Sequence, residues 1–126
     1  MIIVELMIVC AAGGLGAASR FLVDRTVRRR VPTRFPLPTM IINVTGSLVL
    51  GLLTGLVLTY LLPQLWQLVI GVGFLGGYTT FSTASVETVR LLEERRWAAA
   101  LVHGFGMLVL CTLAATLGYL VGVGIG

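Results

Sequence analysis

The sequence predicts an all-α membrane protein: one domain, residues 1–126, of four transmembrane helices, with the third helix broken mid-membrane. Three observations lead there. Of 126 residues 57% are hydrophobic and 11% charged, with a mean hydropathy of +1.02. A soluble domain this small leaves much of its surface in water, so this much apolar side chain calls for lipid as the solvent. Four apolar runs reach the roughly 20 residues that a helix needs to cross a bilayer. Inside the third, the stretch GFLGGYTTFSTASVE (73–87) places a glycine pair and several hydroxyls where leucine and valine would be safer.

The first span runs from Ile2 to Val23. Its opening residues lack a basic region and carry Glu5, so the run reads as a retained span and not as a cleaved signal peptide. The second runs from Thr39 to Leu62, the third from Trp66 to Leu91 and the fourth from Trp97 to Gly126. Pro32, Pro36 and Pro38 interrupt the chain before the second span and Pro63 separates the second from the third, because proline lacks a donor and disfavours helix before it. Trp66 and Trp97 stand at span starts, where amphipathic rings favour the interface. Glycines recur at four-residue spacing (Gly51 and Gly55, Gly73 and Gly77, Gly118 and Gly122), which predicts closely approaching helices in a compact bundle. Cys10 and Cys111 lie in apolar runs and read as small buried hydrophobes.

All nine basic residues are arginines. Arg20, Arg25, Arg28, Arg29, Arg30 and Arg34 follow or end the first span; Arg90, Arg95 and Arg96 end the third. In a four-helix arrangement those two loops emerge on one face, and the opposite face, with both termini and YLLPQLW, has no Lys or Arg. Basic short loops stay cytoplasmic, so both termini are expected outside. The basic loop reads as a solvated segment facing lipid headgroups. No soluble fold presents it to nucleic acid, and no nucleophile or metal cluster marks an enzyme.

Polar side chains at membrane depth are costly and mark candidate sites. Asn43 can be interhelical glue or part of a pathway; His103 can be a packed residue or a pathway residue. Glu87 can reach Arg90 one turn on, and Arg20 can snorkel to the headgroups. The 73–87 stretch carries more. Adjacent glycines before hydroxyls give an unwound point with spare carbonyls, which in a broken helix can coordinate a small cation. Ser82, Thr83 and Ser85 supply a polar lining, and Phe81 offers a ring whose positive edge attracts anions. The residues alone leave two readings open, an ion pathway or a packed broken helix.

Three stretches together, GGLGAASRF (13–21), PTMIINVTGSLVLG (38–51) and GFLGGYTTFSTASVE (73–87), resemble the Fluc, or CrcB-like, fluoride channel family in order and spacing across nearly the whole chain. The resemblance implies a multi-pass protein of the cell's inner (plasma) membrane that lets fluoride leave the cytoplasm passively through two pores of an antiparallel dimer. It implies pore roles for Asn43 and Phe81 and a structural, untransported Na⁺ on the backbone carbonyls of Gly76 and Thr79. Arg20 falls near a vestibule. Thr80, Ser82, Thr83 and Glu87 fall along or beside the pore, and His103 on a polar track of the fourth span.

The departures bear on the partner. The family usually has a second phenylalanine where Ala84 stands, a serine where Met107 stands, and a glycine where Pro38 stands. Antiparallel homodimers require chains that insert both ways, whereas here the arginines bias insertion one way. The expected mate is therefore a paralogue of opposite topology, with a homodimer as the alternative. A non-conducting structural subunit is a rival reading. A four-span drug/proton exchanger is another; it needs a carboxylate deep in the first span, where Glu5 stands only at the extreme start.

Overall fold

A computed structural model describes all residues, 1–126, and its only regular elements are helices. Helix α1 is Ile2–Arg30 and α2 is Leu37–Leu58. The third span comprises α3 (residues 64–78) and α4 (Ser82–Glu93), separated by a non-helical interruption at residues 79–81. The fourth span is α5, Trp97–Ile125. All four spans are long and apolar enough to cross a membrane. The third is broken as expected, though just after the glycine pair, which stays helical: Thr79 takes an extended conformation, φ −80° and ψ 161°.

The boundaries move in physically instructive ways. The first helix continues to Arg30, seven residues beyond the expected end at Val23. Its 29 residues extend about 43 Å, more than the roughly 30 Å of hydrocarbon, so the last turns, with Arg25, Arg28, Arg29 and Arg30, stand clear of the core. Arg28, Arg29 and Arg30 occupy its last turn, where cations favour the negative end of the helix dipole, and Arg28 pairs with Asp24 at 2.9 Å. The second helix stops at Leu58, short of the expected Leu62, because Tyr60 turns the chain at φ 60°. The third and fourth spans each carry a π-helical stretch, at Gln67–Leu75 and Val102–Gly106, the second of which holds His103.

Two helix pairs make the bundle, and neither pair is adjacent in sequence. α2 packs along α5, and α1 along α3. Small residues form both seams. A Cβ on Gly51 would strike the Ala115 carbonyl, and one on Gly118 the Leu48 carbonyl; across the other seam Gly16 abuts the Phe74 carbonyl and Gly77 that of Gly13. Backbones this close gain dispersion contacts in a solvent that offers no hydrophobic drive.

Only 19 of 126 residues are buried, and the outward surface is Leu, Ile, Val and Phe, as suits contact with lipid or another apolar chain. The cysteine expectation is corrected here: Cys10 is exposed on the outer face of α1, where lipid replaces protein as its cover, and Cys111 is half-buried. The two basic loops do share one end of the bundle, since the Arg96 guanidinium donates to the Arg34 carbonyl at 3.2 Å.

Candidate functional site

The break in the third span is tied off by a residue of the second. Thr80 N–H would close the helical turn onto the Gly76 carbonyl; it donates instead to Asn43 Oδ1 at 2.9 Å. Asn43 Nδ2 returns a bond to the Thr80 carbonyl at 2.8 Å. Asn43 and Thr80 are both buried, so each of these polar groups would be costly to leave alone. Thr80 then restarts the helix, its Oγ1 accepting from Thr83 N–H at 3.2 Å as a capping side chain does. On the far side, the Arg20 guanidinium donates to the Thr79 carbonyl at 3.3 Å. Arg20 therefore reaches the break within the bundle and does not run to the headgroups.

Two cavities flank this knot. The larger, about 700 Å³, brings together Asn43, Gly76, Thr79, Thr80, Phe81 and His103, with Met107 and Cys111 further along α5. The Phe81 ring is 87% exposed on the chain by itself, a large aromatic that no residue of its own chain covers. His103 is the opposite case, with 0% exposure, its ring edge-on to Phe35 at 5.6 Å, and the Ala84 backbone beside it without a well-formed hydrogen bond to either ring nitrogen. A buried imidazole must carry at least one N–H, so a weakly satisfied donor lies behind this wall of the cavity.

The smaller cavity, about 370 Å³, lies toward the basic end and is lined by Ser82, Thr83 and Glu87 together with Arg28, Arg34 and Arg90. The polar stretch expected along one pathway is thus divided, with Thr80 and Phe81 facing one cavity and Ser82, Thr83 and Glu87 the other. Glu87 forms no ion pair with Arg90; its carboxylate accepts a hydrogen bond from the Thr39 hydroxyl. Thr39 is buried and was missed in the sequence. Its signal was there, one helical turn before Asn43 and hence on the same face. Ser47 and Thr88 also line the large cavity. Glu5 sits in the first turn of α1 and lines neither cavity, which leaves an exchanger without its carboxylate.

The sequence that builds this break matches a described family. Residues 7–119 match the model of the CrcB-like protein, Camphor Resistance (CrcB). The chain belongs to the CrcB-like family. A protein named fluoride-specific ion channel FluC 1, from Leifsonia xyli subsp. xyli, is 54% identical over 90% of this chain and 83% of its own length. FluC 2 of Cutibacterium acnes is 47% identical over 90% of this chain and 94% of its own, and FluC 2 of Mycobacterium tuberculosis is 47% identical over 84% and 81%. Both carry the same fluoride-specific ion channel name.

The CrcB-like resemblance implies Na⁺ on the Gly76 and Thr79 carbonyls, and the local geometry fits such an ion in kind. Neutral oxygens suit a hard cation. The Gly76 carbonyl has lost its usual N–H to the clasp, and the space beside Gly76 is open, since an added Cβ there would meet nothing within 4 Å. The Thr79 carbonyl keeps a second lone pair beside its bond from Arg20. Two carbonyls are fewer oxygens than a hard cation gathers, so water or other carbonyls would have to complete such a site.

Proposed function

We propose that the chain is one subunit of a passive, fluoride-selective channel in the cell's inner (plasma) membrane, and that its activity lowers cytoplasmic fluoride. The observation that carries the reading is the clasped break: a third span interrupted at membrane depth beside a 700 Å³ cavity lined by Asn43, Thr80, Phe81 and His103. Irregular backbone at that depth is tolerated where it is buried in protein or borders a water-filled path. Family membership and the names of the relatives support fluoride as the ion.

The chemistry agrees. Fluoride is small and strongly hydrated, so a pathway must replace its water with donors and positive ring edges, and must not trap it on a fixed countercharge. Thr80, Ser82 and Thr83 offer hydroxyls, His103 an N–H and Phe81 its ring edge. Glu87 stands at the margin with Thr39, and Arg28, Arg34 and Arg90 at the basic mouth draw anions toward it. When bound at Gly76 and Thr79, Na⁺ would supply a fixed positive charge at the centre of the assembly and offset the exposed carbonyl dipoles.

The second subunit, in this reading, is a paralogue inserted the other way up. One-sided arginines fix one orientation, and the exposed Phe81 ring and the open Gly76 face call for a covering chain. The numbering of relatives as FluC 1, 2 and 3 is in keeping with paralogous pairs. The test is efflux from liposomes holding the purified complex, followed with a fluoride electrode. Electrogenic fluoride release that greatly exceeds chloride release is expected. A complex that releases no fluoride, and leaves fluoride-sensitive cells unprotected, would end the reading.

A further inference from the structure

Asn43 has no donor to spare. One N–H of its amide goes to the Thr80 carbonyl at 2.8 Å and the other to the Met107 sulfur at 3.1 Å, while Oδ1 takes Thr80 N–H at 2.9 Å. An anion is held by donors and positive edges, and a thioether sulfur is an acceptor alone. Three of the hydroxyls around the same cavity are turned away as well. Thr79 Oγ1 donates to the Leu75 carbonyl, Ser85 Oγ to that of Phe81, and Thr88 Oγ1 to that of Ala84.

Met107 lies between His103 and Cys111, four residues from each and on the same face of α5, with all three lining the cavity. It is buried in that wall, 7% exposed, so its sulfur does not swing freely. An anion passing the buried His103 ring would next meet sulfur lone pairs and methylenes where it requires a donor.

We propose that Met107 closes the pathway along this chain's own face, by occupying the Asn43 amide proton and offering only an acceptor in its place. The complex then conducts along the pathway bordered chiefly by the partner chain. This rests on the fluoride-channel reading and adds to it a division of labour, with this subunit completing one conducting pathway and shutting the other.

The test measures fluoride efflux per complex from liposomes containing the wild-type pair, or pairs in which this chain carries Met107→Ser or Met107→Ala. Either substitution removes the sulfur, and serine adds a donor. Met107→Ser should raise the flux about two-fold, as one open pathway becomes two. Met107→Ala guards against poor assembly of the serine variant and should raise the flux less. A further arm places isoleucine at the partner's phenylalanine that aligns with Phe81. That change should abolish efflux from the otherwise wild-type pair and leave efflux in the Met107→Ser pair. If the wild-type pair conducts and neither Met107 variant exceeds it, closure by Met107 is overturned; the same holds if the partner's substitution leaves half of the wild-type flux. Absence of fluoride efflux from every pair would instead overturn the channel reading beneath it.

Discussion

Asn43 and Thr80 grip each other by complementary amides: the Asn43 side chain accepts Thr80 N–H at 2.9 Å and donates to the Thr80 carbonyl at 2.8 Å. The pair does for the broken span what the next helical turn would have done. It also joins the second span to the third, which otherwise belong to different helix pairs.

Replacing Asn43 with Leu keeps the volume and strands both Thr80 backbone groups. Leaving a buried polar group unsatisfied costs about 1–3 kcal/mol, so the variant should unfold at lower temperature in detergent and lose fluoride flux. Asn43→Asp retains an acceptor for Thr80 N–H and should lie between the two in stability. Equal melting of the leucine variant and the wild type would show that the clasp does not hold the break.

The seams make a paired prediction. Gly51→Ala would push a methyl into the Ala115 carbonyl and Gly118→Ala one into the Leu48 carbonyl, whereas a methyl on Gly14 or Gly124 meets nothing within 4 Å. Overpacking of this kind costs about 1–3 kcal/mol, and the open sites should instead gain up to about 1 kcal/mol from better helix propensity. Thermal unfolding of the four variants in one detergent decides it. Indistinguishable midpoints would remove the seams from the account of the fold.

The four spans were legible because the devices that delimit them are local. Prolines and interfacial tryptophans punctuate the sequence, and the Gly76-Gly77 pair followed by hydroxyls announces a break. What escaped was either continuous or distant. The first helix runs on through Arg30 because arginine is a good helix former and the helix end welcomes positive charge, so hydropathy stops before the helix does. The partner of Glu87 proved to be Thr39, 48 residues away, in preference to Arg90 one turn on, and nothing in local spacing distinguishes these. For the candidate pathway, single residues were nameable and their allotment to two cavities was not, since that depends on how the second and fourth spans lie against the break.

Sodium is tested by its removal. Refolding or reconstituting the complex with N-methyl-D-glucamine as the only cation should reduce the dimer fraction, read by cross-linking, along with fluoride flux. Both should return when Na⁺ is restored. A dimer and a flux that ignore the exchange would dissociate the Gly76 and Thr79 carbonyls from any cation.

Orientation is the most exposed prediction. With all nine basic residues arginine and none of them on the face that carries the termini, a reporter fused after Gly126 should be active only outside the cytoplasm. Asp24, Glu93 and Glu94 should not offset this, because acidic residues contribute little to orientation. Comparable reporter activity on both sides, or full efflux from this chain alone, would make it a dual-topology homodimer.

The pairing of helices described above also sets the order in which the chain can be built. The first helix packs on the third and the second on the fourth, so no hairpin of neighbouring spans is a finished unit. During synthesis the first helix enters the bilayer with its glycine face uncovered until the third arrives, and the second waits for the fourth. Assembly is thereby held open until the fourth span is made, and the insertion machinery or lipid must shelter two unmatched seams until then.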